Sequence, residues 1–245
     1  MAGVIRAAGL AHSKRWAPVL EAETIRRTLR IGWRYLLIGG GISLLLTCEL
    51  LFLGKSHAAA FNMTFPLETP LFAVMGSVGG LMTFTSDRTK GVYEYLLAYG
   101  VRPRGLFING LLATAAMSGI ILTVSLSVGL GLAVERGVTF TESFWEAIAY
   151  YTIPMAFAGA LVTSTVGMIW ASIASPRTGF NSPVGLAPMI GIGPTILVLL
   201  AAGTAPSSDY YYITGGASLA LILIALGLLS LSAKLMDRER LLSNL

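Results

Sequence analysis

Long apolar runs separated by short charged segments dominate the hydropathy pattern of this chain. A helix needs about 20 mostly apolar residues to cross a bilayer, and six runs reach that length. We predict spans at 35–53, 67–85, 105–134, 144–174, 184–203 and 210–235. The pattern predicts an all-α integral membrane protein in which residues 1–245 form a single transmembrane domain. Its six helices follow an N-terminal segment, residues 1–34, and end in a cytoplasmic tail, residues 236–245.

Basic residues are distributed unevenly between the two sides that these spans define. If the N-terminus is cytoplasmic, 15 of the 17 Lys and Arg residues fall in cytoplasmic segments, and only Lys55 and Arg136 fall outside. Lys and Arg near span ends are retained on the cytoplasmic side during insertion. The asymmetry therefore predicts a multi-pass protein with both termini in the cytoplasm.

Composition supports a membrane protein and gives no indication of a nucleic-acid partner. The mean hydropathy is +0.74 and charged residues make up 12%, against about 25% in soluble domains. The net charge of +5 is spread over cytoplasmic flanks, where anionic lipid headgroups attract it. We expect membrane lipid as a partner and no nucleic acid.

The N-terminal 34 residues are predicted to form a basic cytoplasmic arm followed by an amphipathic helix at the membrane interface. Tryptophan and aliphatic side chains recur on one helical face, and the remaining positions carry Glu and Arg. These apolar positions are Trp16, Val19, Leu20, Ile25, Leu29 and Trp33. A helix packed in the cytosol is the alternative.

The cytoplasmic segment between the second and third predicted spans contains a short helix pattern. Gly91 and Gly100 bound the stretch from Val92 to Tyr99, and glycine commonly interrupts or ends helices. Four positions spaced i, i+3, i+4 and i+7 form an apolar and aromatic face: Val92, Tyr95, Leu96 and Tyr99. The pattern suits either a docking helix or an ordinary interfacial loop helix.

The same segment resembles the first cytoplasmic loop of type-2 ABC exporter permeases. That loop carries an acidic-Arg pair, a Gly, a Glu followed by a Leu pair, and a basic residue before the next span. The matching positions here are Asp87, Arg88, Gly91, Glu94, Leu96, Leu97 and Arg102 to Arg104. Val92 and Tyr99-Gly100 depart from the family pattern. Beyond this motif of about 20 residues, the six spans and the chain length match as architecture.

The resemblance implies a permease subunit that uses ATP hydrolysis by another polypeptide to export a substrate. It would pair with a second permease copy or a related permease, and two cytoplasmic ABC ATPase subunits would bind to the pair. ATP and Mg²⁺ would belong to the ATPase, so this chain would hold no cofactor or metal and would not itself be an enzyme. The expected location is the plasma membrane of a prokaryote.

The resemblance also implies roles for the loop residues. Asp87 and Arg88 would fix the exit of the second span, and Glu94 would meet a basic group on the ATPase. Gly91 would start the helix, whose apolar side chains would enter a groove of the partner. The residues in this coupling set are Asp87, Arg88, Gly91, Glu94, Tyr95, Leu96, Leu97 and Tyr99.

Within the spans, Glu49, Pro188 and Pro194 are candidates for the translocation path. An ionisable group at membrane depth is costly and is often functional, although Glu49 could simply reach water or Lys55. Internal prolines bend a helix, so Pro188 and Pro194 either shape a gate or relieve local packing.

Other polar, proline and glycine positions within the spans are predicted to be structural. Pro154 should bend the fourth span, and the hydroxyls of residues 163–165 should bond back to their own helix. Glycines in the spans should allow helices to approach closely. The examples are Gly39, Gly40, Gly41, Gly76, Gly79, Gly80, Gly129 and Gly131.

Two other function classes remain open. An ion-coupled secondary carrier would require several ionisable groups near mid-membrane, whereas Glu49, near the edge of the first span, is the only candidate for such a group. A membrane scaffold without transport would require no such groups. The scarcity of charge in the spans favours a lipid-like or hydrophobic substrate for any transporter.

Overall fold

The computed structural model describes residues 2–52, 57–99, 101–173 and 210–235, with single positions at 192, 193, 196 and 200. This part of the chain is helical and contains no β-strand. A one-turn π-helix, Ile148–Thr152, joins α5 to α6. The α-helices are α1 (Ala2–Phe52), α2 (His57–Thr89), α3 (Val92–Ala98), α4 (Pro103–Glu135), α5 (Glu142–Ala147), α6 (Ile153–Ile173) and α7 (Tyr210–Leu235).

Four helical stretches among the described residues are long and apolar enough to cross a membrane. They are Ile25–Phe52, Ala58–Thr89, Pro103–Glu135 and Glu142–Ile169, and α7 adds a shorter apolar stretch, Gly215–Leu231. They are consistent with a multi-pass integral membrane protein. The predicted fifth span lies largely outside the described residues, together with Pro188, Pro194 and the tail after 235, so the count of six stays a prediction.

The N-terminal segment does not form a separate helix ahead of the first span. Helix α1 is continuous from Ala2 to Phe52, and its membrane-capable stretch begins at Ile25. The helix therefore has no break at the predicted boundary near residue 35. No proline falls near that boundary, and Gly32, the glycine nearest to it, packs inside the bundle against Met117 and Gly79. A separate interfacial helix stays unconfirmed.

Helix α2 contains two prolines, Pro66 and Pro70, and continues through both. Proline has no N–H, so Pro70 leaves the carbonyl of Pro66 without its usual partner four residues on. The Thr152 hydroxyl lies 2.8 Å from that carbonyl oxygen and replaces the missing donor. A hydrogen bond from a neighbouring helix thus allows α2 to continue through the prolines.

Small residues bring α1, α2 and α4 together. The buried stripe of α1 includes Thr28, Gly32, Gly39, Ser43 and Thr47, spaced by four or seven residues so that they share one helical face. The packing prediction is confirmed at Gly39, Gly76, Gly79, Gly80 and Gly129, where an added Cβ would collide with a neighbouring helix.

Among the described residues, an added Cβ at Gly40, Gly41 or Gly131 would meet nothing within 4 Å, so the packing prediction is not confirmed for these three glycines. Gly40 and Gly41 instead line an apolar groove of about 380 Å³ between α1 and α4.

The bend expected at Pro154 appears as the π-helix immediately before it. Pro154 cannot donate to the carbonyl of Tyr150, and its ring crowds that position. A wider turn over Ile148–Thr152 accommodates both effects,. The helical path from Glu142 to Ile173 therefore continues through the proline and keeps the predicted fourth span intact.

Candidate functional site

Helix α3 is the short helix that the sequence predicts between α2 and α4, and its bounds agree with the prediction. Gly91 precedes it with φ 70°, in the left-handed region that glycine adopts without strain. Its N–H donates to the carbonyl of Arg88 at 3.1 Å, which turns the chain sharply after α2. Pro103 then starts α4 at a position where proline is favoured,.

The inner side of α3 is part of the protein core. Tyr93, Leu96 and Leu97 are buried against residues of α2, α4 and α6, among them Phe84 and Met168. The rings of Tyr93 and Phe84 have centroids 5.0 Å apart. Burial raises the pKa of the Tyr93 phenol well above its usual value, and the Asp87 carboxylate raises it further. These contacts fix α3 rigidly to the ends of three long helices.

Leu96 and Leu97 therefore cannot enter the groove of a partner while α3 stays in this position. The sequence analysis placed Leu96 on the docking face with Tyr95 and Tyr99, because spacing alone shows which residues share a face. It does not show which edge of that face meets the protein's own core. The buried edge is centred on Leu96 and Leu97, which are 7% and 5% exposed.

The outer side of α3 carries Glu94, Tyr95, Ala98 and Tyr99, all exposed. The tyrosine rings contact each other with centroids 4.5 Å apart, and a hydrogen bond between the two phenols raises the pKa of Tyr95. Exposed basic residues flank the tyrosine pair: Lys90, Arg102 and Arg104. An aromatic centre with a charged rim is typical of protein docking surfaces, where Tyr and Arg are enriched.

Asp87 and Arg88 lie at the end of α2, and both are buried, at 2% and 4% exposure. The Asp87 carboxylate forms an ion pair with the Arg27 guanidinium, whose nitrogen lies 2.9 Å from a carboxylate oxygen. Asp87 thus joins the end of α2 to α1, as its predicted role at the exit of the second span requires. Sequence reasoning missed Arg27 because the two residues are far apart in the chain and belong to no shared motif.

Two acidic residues within the long helices are a second feature of interest. Glu49 lies near the end of α1, and Glu68 lies in the first half of α2. Glu49 is exposed and Glu68 is half-buried. The sequence analysis missed Glu68, although it is the only acidic residue within the predicted span 67–85. That isolation was the signal that could have identified it.

The hydroxyl prediction for residues 163–165 is confirmed at one position. Ser164 donates to the carbonyl of Ala160 at 2.7 Å. Thr163 and Thr165 are fully buried, and their hydroxyls have no hydrogen-bond partner among the described residues. The described residues also contain no group of three or more His, Cys, Asp or Glu side chains that could hold a metal ion.

Comparison of the chain with protein-family models, curated proteins and solved structures finds no match.

Proposed function

We propose that the chain is the transmembrane permease subunit of an ABC exporter, and that α3 is the helix through which a separate cytoplasmic ATPase drives it. The observation that carries the proposal is the two-sided character of α3. Its inner side is anchored to α2, α4 and α6, while its outer side presents the Tyr95–Tyr99 pair. A helix with these two sides can bind a partner on its outer side and transmit a displacement to the spans through its inner side.

The anchoring is what makes transmission physically reasonable. Close-packed interiors transmit displacement because they contain few voids. A shift of α3 would be carried to α2 through the contact between Tyr93 and Phe84. The buried cluster that contains these two residues also includes Leu106 of α4 and Met168 of α6, and it would extend the shift to those helices. The Asp87–Arg27 ion pair would extend the coupling to α1.

The remaining parts of the proposal follow from the resemblance. Two ATPase subunits would supply ATP and Mg²⁺, a second permease copy or a related permease would complete the pathway, and lipid would surround it. The protein would lie in a prokaryotic plasma membrane with both termini in the cytoplasm. The substrate would be lipid-like or hydrophobic.

A co-purification experiment tests this function. With Tyr95→Ala combined with Tyr99→Ala, the purified complex should lack the P-loop protein and its ATP hydrolysis. The reason is that truncating an aromatic anchor of an interface commonly costs at least about 2 kcal/mol of binding free energy. Tyr150→Ala combined with Tyr212→Ala is the matched control, because both residues are exposed and lie outside α3. Equal recovery of the ATPase with both double variants would reject α3 as the docking helix.

An ion-coupled carrier is the second candidate, and Glu68 favours it, because this half-buried carboxylate lies within the predicted second span. Carriers that use ion gradients place acidic groups within the membrane. Under this alternative, Glu68→Gln would abolish transport that depends on a proton or sodium gradient. Under the ABC proposal, transport would follow ATP and would not respond to collapse of the ion gradient.

A further inference from the structure

A cleft of about 350 Å³ lies between the π-helical region and α7, apart from the α3 surface. One wall comes from the end of α5, the π-helix and the start of α6, and the other comes from α7. Its volume falls within the range of pockets that hold small organic ligands. The side chains that decide its chemistry are Glu146, Tyr150 and Ser218.

One polar group at this cleft has no hydrogen-bond partner among the described residues. Ser218 is 3% exposed, and its hydroxyl has no hydrogen-bond partner among the described residues. Pro154, which also lines the cleft, follows the π-helical turn Ile148–Thr152. A buried hydroxyl left unpartnered is costly, and such π-helical turns frequently occur at functional sites.

The charge and aromatic character of the cleft identify the ligand class. Among the lining residues, Glu146 is the only one with an ionisable carboxylate or a basic group. The Tyr150 ring follows it by about one helical turn and is 70% exposed. The remaining wall is apolar, with Leu219 and Ile222 on α7. A carboxylate and an aromatic face beside an apolar wall suit an organic cation with a hydrophobic body.

We propose that this cleft binds a hydrophobic organic cation, with the positive centre between the Glu146 carboxylate and the Tyr150 ring and the apolar body against α7. This binding does not depend on the exporter assignment, since no residue of α3 takes part in it. Tetraphenylphosphonium is a suitable probe because its charge is spread over an apolar surface. Tetraphenylborate has the same shape and the opposite charge, so it separates charge recognition from hydrophobic partition.

Equilibrium dialysis of the purified full chain in a non-ionic maltoside detergent measures both probes, with empty micelles as the blank. We expect saturable binding of tetraphenylphosphonium and no saturable binding of tetraphenylborate. Glu146→Gln should weaken phosphonium binding roughly fivefold, which is the effect of about 1 kcal/mol. Glu142→Gln is the matched control, because Glu142 lies one turn earlier on α5 and does not line the cleft.

Tyr150→Leu provides a second variant that keeps the apolar bulk and removes the π face, with Tyr212→Leu, also exposed, as its control. It should weaken phosphonium binding by a similar factor. Equal affinities in Glu146→Gln and Glu142→Gln would overturn the proposal. Saturable binding of tetraphenylborate at the same site would overturn it as well.

Discussion

At the residue scale, the ion pair between Arg27 and Asp87 holds the end of α2, just before α3, against α1. Asp87 is almost fully buried, whereas the Arg27 side chain is 39% exposed. Removing one partner of a buried ion pair usually costs more than the pair contributes, because the other charge is left without compensation. Partial exposure of Arg27 reduces that cost through solvent screening.

We predict that Asp87→Asn lowers the free energy of unfolding by about 1–2 kcal/mol. Combining it with Arg27→Gln should cost less than the sum of the two single changes, with a coupling energy of about 1 kcal/mol in a double-mutant cycle. Reversible denaturation in detergent micelles measures all four variants. The Glu23–Arg26 pair is the control, since its atoms are 3.9 Å apart and both side chains are exposed. Strictly additive changes at Arg27 and Asp87 would mean that the contact contributes nothing.

At the element scale, the helices are placed by small residues and by hydrogen bonds between helices. Ser118 of α4 donates to the carbonyl of Ala73 in α2, and Gly80 allows Thr114 to pack directly against the α2 backbone. In lipid there is little hydrophobic force between helices, so such close contacts supply most of their association.

A pair of glycine substitutions tests this account of helix packing. Gly80→Ala should destabilise the protein by about 1–3 kcal/mol, because the new Cβ would overlap the Thr114 side chain and overpacking carries that cost,. Gly41→Ala should not lower the midpoint of thermal unfolding in detergent, because no described residue lies within 4 Å of its Cβ position and alanine favours a helix more than glycine does. Indistinguishable midpoints for the two variants would contradict the packing of α2 against α4.

Local features of the chain could be predicted from the sequence, whereas contacts between distant residues could not. Helix α3 was predictable because Gly91 and the spacing of its apolar residues act locally. The continuation of α2 through Pro66 and Pro70 was not, because it relies on Thr152, a residue 86 positions away. The burial of Leu96 and the partner of Asp87 likewise depend on which helices become neighbours.

At the scale of the whole molecule, the length of α4 determines how its two connections relate to the membrane. Its 33 residues extend about 50 Å at 1.5 Å per residue, which exceeds the roughly 30 Å hydrocarbon core. The segment with α3 before it and the loop 136–141 after it should therefore face opposite sides. The basic residues near α3 favour the cytoplasm for that side.

Single cysteines in a Cys48→Ala background test this topology. Thr139→Cys should react with a membrane-impermeant maleimide on intact cells, because Thr139 is exposed on the predicted outer side. Thr89→Cys, also exposed, should react only after the cells are opened. If Thr89→Cys reacted on intact cells and Thr139→Cys did not, the protein would have the opposite orientation. Helix α3 would then lie out of reach of any cytoplasmic ATPase.

Site-specific photo-crosslinking from α3 tests the central claim most directly. A photoreactive phenylalanine at position 95, on the exposed side of α3, should crosslink in intact cells to a polypeptide that mass spectrometry identifies as a P-loop ATPase. The same residue at position 212, exposed on α7, should give no such product. Vanadate, which takes the place of the released phosphate and traps ADP in an ATPase after hydrolysis, should also change the yield of the crosslink. If position 95 yields only lipid or no ATPase, α3 is not a coupling helix and the exporter proposal fails.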